Sequence, residues 1–302
     1  MSANAVIPVA ARQELFESKQ VRNRNRRSNF FSGVFLAVTS ISLIILGVLL
    51  WTIFDSALDW ISWHLITNMP SRRPEIAGLN SALWGSIWVI SLTALFAFPL
   101  GVGAAVYLEE YAPKNRWTRL LRLNISNLSG VPSVVYGLLG LGIFVELMNL
   151  GRVVVAGALT MALLVLPIII ISSQEAIRAV PPSLRRAAFA LGATKWQVAR
   201  HHVLPAAMPG ILTGTILAVS RAVGETAPLL VVGASGFLLF RPDGISSAYT
   251  ALPIQIYSWT QRPQDEFKGL AAAAIVVLLV VLLVMNATAI FLRQRFSRNA
   301  RW

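Results

Sequence analysis

The stretch Ala179-Val-Pro-Pro-Ser183-Leu-Arg-Arg-Ala-Ala-Phe-Ala-Leu-Gly192-Ala-Thr194-Lys-Trp-Gln-Val-Ala-Arg-His-His-Val-Leu-Pro205 separates two long apolar runs and carries its own helical punctuation. Pro181 and Pro182 end the run before it, because proline has no N–H to offer and disfavours helix in the residue ahead. Ser183 is placed to cap a new helix. Leu184, Ala187, Ala188 and Leu191 then recur at helical spacing and form a small apolar face. Gly192 suits the left-handed position that ends a helix. Thr194 can cap a second short helix, predicted to run to Pro205 with Trp196, Ala199 and Val203 on one side. Two short helices meeting at a glycine read as a projecting knob with basic flanks. Such a knob either lies on lipid or docks in a groove of a cytoplasmic partner. The glycine and the small alanines favour the protein dock.

The runs on either side belong to a set of six. Of the 302 residues, 56% are hydrophobic and 13% charged, about half the charged share of a soluble domain. Apolar runs at roughly Phe30–Phe54, Asn80–Leu108, Asn124–Met148, Val153–Ser173, Ala206–Ala234 and Leu270–Leu292 are each long enough for a bilayer core of about 30 Å. The predicted class is an all-α integral membrane protein with six transmembrane helices. A soluble helical bundle does not carry such uniform runs, and a barrel needs alternating strands of about ten residues, which are missing. The predicted organisation is a cytoplasmic tail over 1–29, a transmembrane domain over 30–292 with the inward loop at 174–205, and a cytoplasmic tail over 293–302. The polar start, with Arg22, Arg24, Arg26 and Arg27, lacks the short apolar core of a removable signal peptide.

The formal net charge is +13. Nucleic-acid binding would gather that charge on one folded face. Here it sits in short clusters between spans, as topology requires. Nineteen Lys and Arg fall on the side of the N-terminus and six on the other, with Arg221 inside a span. That asymmetry places both termini in the cytoplasm. Trp51, Trp60, Trp63 and Trp259 fall near outer interfaces and Trp117 near an inner one, where amphipathic rings anchor.

Spans two to five each hold a proline well inside: Pro99, Pro132, Pro167 and Pro228. A mid-helix proline bends the axis and frees a carbonyl, which in lipid needs a protein or water partner. Those four helices are expected to pack on protein or line a wet path. The fifth reads Leu217-Ala-Val-Ser-Arg221-Ala-Val-Gly224-Glu225-Thr-Ala-Pro228-Leu-Leu. Read as one helix, it puts Arg221 and Glu225 on a shared face near mid-bilayer. An arginine there costs about 2.5–3.5 kcal/mol on insertion scales. Folding alone does not require that cost, so the residue reads as part of an ion or substrate path. A structural ion pair is the other reading. The Arg-before-Glu order, poorer for an intrahelical pair, and the loosening by Gly224 and Pro228 speak against it. Arg221 is expected to meet an anion, Glu225 to hold or gate the arginine, and Gly224 and Pro228 to act as the hinge.

The spacing Ala187-Ala188, then Gly192, then Leu204-Pro205 resembles the coupling loop of permease subunits of ATP-binding-cassette importers. Arg186 stands where that family often has glutamate. The resemblance implies the type I importer permease fold and a loop that enters a cleft of an ATPase subunit, with Arg186, Ala187, Ala188, Leu191, Gly192, Thr194, Trp196, Leu204 and Pro205 at or behind the contact. The segment Arg221–Leu230 is similar to the fifth-helix signature of phosphate-specific importers, and its Thr-Ala-Pro-Leu-Leu ending resembles their A-type permease. Tyr107-Leu-Glu-Glu-Tyr-Ala112 and Gly130-Val-Pro-Ser-Val-Val-Tyr-Gly137 also resemble that family. The resemblance implies phosphate import across a bacterial inner membrane. The implied partners are a second homologous permease, two ATP-binding subunits and an extracytoplasmic phosphate-binding protein, docking most readily on the outer loop Ser235–Gly269. Permeation of another oxyanion, such as sulfate or molybdate, and a non-transporting sensor or scaffold of phosphate status are the alternatives.

Chemistry is otherwise sparse. No G-x-x-x-x-G-K-[ST] loop and no H-E-x-x-H motif occur, and there are no cysteines. The chain is therefore expected to bind no cofactor itself, with ATP and Mg²⁺ held by partner subunits. His201 and His202 diverge on a helix and read as solvated or interfacial, as does Glu146. Gly137, Gly140 and Gly142, and the pair Gly210 and Gly214, are read as close helix packing.

Overall fold

The computed structural model describes residues 19–298. The outermost parts of both predicted tails, 1–18 and 299–302, lie outside the described residues. Among the described residues all regular structure is helical. Helix α1 spans Lys19–Ala57 and belongs largely to a unit of its own, Met1–Asp55. Phe35, Leu36, Leu43 and Ile44 are exposed along it, and an apolar surface of that kind suits lipid or a partner helix.

The second unit, Ser56–Trp302, holds the remaining elements. They are α2 (Trp63–Thr67), α3 (Asn80–Val106), α4 (Arg116–Leu128), α5 (Ser133–Gly140), α6 (Val154–Arg178), α7 (Pro182–Ala190), α8 (Lys195–Val198), α9 (Leu204–Val223), α10 (Ala227–Val232), α11 (Leu252–Thr260) and α12 (Glu266–Arg298). Wider π turns extend α3 over Tyr107–Tyr111 and α5 over Leu141–Leu147, and join α8 to α9 over Ala199–Val203.

Among the described residues, five helices are long and apolar enough to cross a bilayer: Arg24–Trp60, Asn80–Tyr111, Val154–Arg178, Lys195–Val223 and Glu266–Arg295. The sixth candidate is a broken pair. The predicted span Asn124–Met148 is not one helix, since α4 and the leg Ser133–Leu147 meet at 105°. Pro132 has extended backbone (φ −56°, ψ 138°) and starts α5 rather than kinking a span. Its ring keeps the residue ahead out of helical conformation. Pro99 and Pro167 do lie inside helices, α3 and α6. Pro228 does not: it opens α10.

The core gathers around α6. Met161, Val165 and Ile169 are fully buried there, with Val89 and Ala97 of α3, Ala218 and Ala222 of α9, and Tyr136 of α5. Lipid offers no hydrophobic drive between helices, so close approach through small residues does the packing. Gly210 and Gly214 of α9 lie against Ala176 and Ser172 of α6, Gly140 lies against Thr160, and Gly101 against Ile169. The glycine reading thus holds for 137, 140, 210 and 214, but Gly142 faces open space. Trp259 is fully buried against Phe267 rather than set at an interface, whereas Trp63 and Trp117 are each 74% exposed.

The loop between α10 and α11 is tied down. Val154 and Val155 N–H donate to the Ser247 and Ile245 carbonyls, and Leu252 N–H donates to Ser86 Oγ at 2.8 Å. Gly85 permits this approach, because a Cβ there would strike the Thr250 carbonyl oxygen. Gly85→Ala is expected to cost about 1–3 kcal/mol through overpacking. That should lower the thermal midpoint of the purified protein in detergent by about 2–8 °C. Gly103→Ala, which meets nothing within 4 Å, should leave it unchanged.

Candidate functional site: a broken membrane helix and a projecting knob

The predicted fifth span, Ala206–Ala234, differs from the structure at both ends. It starts earlier, because α8, the π turn and α9 run on from Lys195 to Val223. Leu204 N–H reaches back to the Ala199 carbonyl, shifting the register just ahead of Pro205, whose ring has no N–H. The helix therefore passes through Pro205 instead of stopping there. It ends sooner, because Gly224 closes α9 and α10 begins only at Ala227. The Pro228 ring would crowd a helical Gly224 carbonyl, and here the helix stops, whereas α3 and α6 continue through Pro99 and Pro167. The residues Gly224, Glu225 and Thr226 form the break.

Arg221 and Glu225 consequently do not share a helix face: one ends α9 and the other sits in the break. They meet nonetheless, with Arg221 Nε 3.3 Å from Glu225 Oε1. The arginine side chain is 57% exposed and the glutamate 18%. Among the described residues, Nε is the one atom of the guanidinium with a partner, so both terminal amino groups stay open. The free carbonyls of the last helical turn favour a cation at this position. A planar fork with two open N–H₂ groups matches an oxyanion better than a point charge does. The break is braced from behind, where Gly137 of α5 comes so close that a Cβ would lie 2.8 Å from Pro228 Cα. A separate, mostly apolar cavity of about 370 Å³, lined by Ser86, Ser91, Val223 and α12 residues, lies beside the end of α9 without including either charge.

The knob is built largely as the sequence implies. Gly192 has φ +82°. Thr194 accepts from Gln197 N–H while the Gln197 side chain accepts from Thr194 N–H, a complete capping box. Ser183 is not a cap. Pro181 holds that position and Pro182 opens α7, as suits a residue with no N–H to satisfy. The apolar face divides in two. Ala188, Val198 and Val203 turn inward onto Val106, Ile177 and Ile211, so Ala188 supports the knob from within. Leu191, Trp196 and Phe189 turn outward and are 89%, 55% and 46% exposed. Arg186 and Ala187 share that exposed side, while Leu204 and Pro205 are half-buried at the root of α9.

One group of residues was missed in the sequence. Glu109 accepts from Arg122 at 2.6 Å and from Arg178 at 2.8 Å. Glu110 accepts from Arg185, which also donates to the Ile177 and Val180 carbonyls at 2.8 and 2.7 Å. Arg185 of α7 thereby fastens the knob to the ends of α3 and α6. The available signal was a pair of adjacent glutamates at a span end, in a chain with 13 acidic residues.

This arrangement coincides with known proteins. Residues 97–298 match the family model described as binding-protein-dependent transport system inner membrane component. The phosphate transport system permease protein PstA of Yersinia pestis is 33% identical over 93% of this chain and 96% of its own length. The probable permease YqgI of Bacillus subtilis is 36% identical over 69% of this chain and 71% of its own. Among solved structures, a chain of a bacterial alginate ABC transporter superposes with TM-score 0.65 at 17% identity, covering 92% of this chain and 98% of that one. A chain of the MetNI methionine transporter follows with 0.54 at 19%, covering 74% and 97%. By the family match, the helical fold and these relatives together, the chain belongs to the inner membrane components of binding-protein-dependent transport systems.

Proposed function

We propose that this chain is a permease subunit of an ATP-driven importer of inorganic phosphate, forming half of the translocation path. The observation that carries this reading is Arg221: a half-exposed guanidinium at a helix break within a membrane span, with two amino groups open. A charge at that depth belongs beside water or a second subunit rather than lipid. Phosphate suits a planar fork, and several relatives of the chain are phosphate transport system permeases.

In this reading a second homologous permease closes the open side of α9 and α10. Two ATP-binding subunits receive the knob through Leu191, Phe189 and Trp196, and ATP and Mg²⁺ reside there. An extracytoplasmic phosphate-binding protein docks on the ordered outer loop. The excess of Lys and Arg on the knob side puts that side and both termini in the cytoplasm. ATP binding moves the knob, Arg185 passes the motion to the ends of α3 and α6, and the break at Gly224 and Pro228 changes the setting of Arg221. Glu225 holds the guanidinium between anions. A single cation grips phosphate weakly enough to release it, as conduction requires.

Competition decides the substrate. In proteoliposomes holding the complete importer, uptake of radiolabelled phosphate is expected to be unaffected by excess sulfate or molybdate. Equal competition by either would reassign the path to oxyanions at large. ATP-dependent uptake failing altogether, with the complex intact, would leave a sensor or scaffold.

A further inference from the structure

A second cluster of charge lies away from Arg221, at the end of the molecule that carries the knob. A cavity of about 460 Å³ opens there, lined by Glu109, Lys114, Thr118, Arg119, Arg122 and Arg178 among others. Arg178 is also held from outside the lining by Glu175 at 3.0 Å, and within it four cations face one carboxylate. That carboxylate is fully engaged, because both of its oxygens accept from Arg178 and one also accepts from Arg122. Lys114 and Arg119 have no carboxylate within ion-pair distance among the described residues. The cavity is thus a concave cationic site with an unfilled demand for negative charge.

The wall of the cavity is set in place. Asn115 caps α4 by accepting from Thr118 N–H at 2.8 Å, and the Thr118 hydroxyl donates to the Pro113 carbonyl at 2.7 Å. Arg122 also donates to the Leu108 carbonyl. Positions 115, 118, 119 and 122 fall on one helical face. Trp117, Leu120 and Leu121 fall on another and are 74%, 49% and 53% exposed. Because α4 stands at 105° to the leg Ser133–Leu147, a leg that enters the bilayer leaves α4 running nearly along the membrane plane. A basic amphipathic helix in that attitude lies at the headgroup boundary, with its tryptophan as anchor. Glu109 and Glu110 bind Arg178 and Arg185 on either side of the knob's root, and in the proposed function that side is the cytoplasmic one, where anionic lipid attracts Lys and Arg.

The geometry points to a binding site for the phosphate group of an anionic phospholipid from the inner leaflet, held by Lys114 and Arg119 with Arg122 and Arg178 behind. Free inorganic phosphate shares that chemistry. The lipid is the occupant because the same helix places its apolar face in the acyl layer, so a headgroup phosphodiester is always at hand. A filled site bridges α4 to the end of α6, and through Glu109 it adjoins Glu110, which holds Arg185 of the knob. Lipid composition then tunes how rigidly the knob is held.

The test uses the complete importer in nanodiscs of phosphatidylcholine containing a minor share of phosphatidylglycerol, with lipid retained after delipidation read by native mass spectrometry. Wild type is expected to keep phosphatidylglycerol selectively. Lys114→Gln with Arg119→Gln should lower that retention about tenfold or more, and each single change should lower it partially, which covers poor expression of the double variant. Arg116→Gln, on a neighbouring exposed position that does not line the cavity, should retain lipid normally. Equal retention by the double variant overturns the site, and so does an equal loss in Arg116→Gln, which would mean diffuse surface attraction. Release of the lipid by millimolar inorganic phosphate at constant ionic strength overturns the lipid assignment and gives the cavity to the free anion. None of these outcomes depends on what crosses at Arg221.

Discussion

Arg221→Gln is expected to lower ATP-driven phosphate uptake by about two orders of magnitude while the complex assembles and keeps its thermal midpoint. The size follows from the loss of two charge-assisted hydrogen bonds, each contributing about 1.5–3 kcal/mol, tempered by what a neutral amide can still donate. Stability should hardly change. The guanidinium is 57% exposed and its contact with Glu225 is 3.3 Å long, and exposed pairs of this kind contribute about 0–1 kcal/mol. Arg221→Lys should recover part of the rate, because it restores the charge without the fork. The measurement is the initial rate of radiolabelled phosphate uptake in proteoliposomes, beside size-exclusion profiles of the assembled complex. Full uptake by the glutamine variant would remove the residue from the path.

The second large effect is expected at the tip of the knob. Leu191 is 89% exposed, more than an apolar side chain gains from unless something covers it. Leu191→Asp should leave the permease folded, since the side chain touches little of its own protein. It should weaken binding of the ATPase subunits by about 30-fold or more, the scale of a central contact of about 2 kcal/mol. Recovery of ATPase with tagged permease, over a range of ATPase concentration, reads this directly. Ala188→Asp is the contrasting case. Ala188 lies in the cluster with Val106, Ile177 and Ile211, so its substitution buries an unpaired carboxylate and should reduce the amount of folded permease itself. If both variants failed in the same way, the division of the knob into a supporting and a docking face would be wrong.

Much of the chain could be read without its structure, because certain signals are local. Apolar length identified the spans. Gly192 and Thr194 were legible because a left-handed turn and a capping box are completed within a few residues. Gly210 and Gly214 were legible because spacing alone puts them on one face. The charges Arg221 and Glu225 stood out because charge is rare inside a span, and they do make contact.

What escaped the sequence depends on the direction of the backbone or on partners distant in the chain. Summed hydropathy over a window is blind to axis direction, so Asn124–Met148 scored as one span although the chain turns by 105° within it. Pro132 and Pro228 looked like kinks, yet each opens a new helix, because the neighbouring helices supply packing to a break as readily as to a bend. The register shift that carries the helix past Pro205 is a hydrogen-bond choice that no residue type announces. The inward turn of Ala188 and the outward turn of Leu191 depend on where α3, α6 and α9 lie. The bond from Arg178 to Glu109 joins positions 69 apart. The sequence by itself determined a membrane-spanning helical chain, the knob's turn and cap, and a charge within a span, since these follow from local transfer and capping energies. Only the tertiary structure decided which charges meet, which apolar faces remain open and where helices break, since these follow from long-range packing.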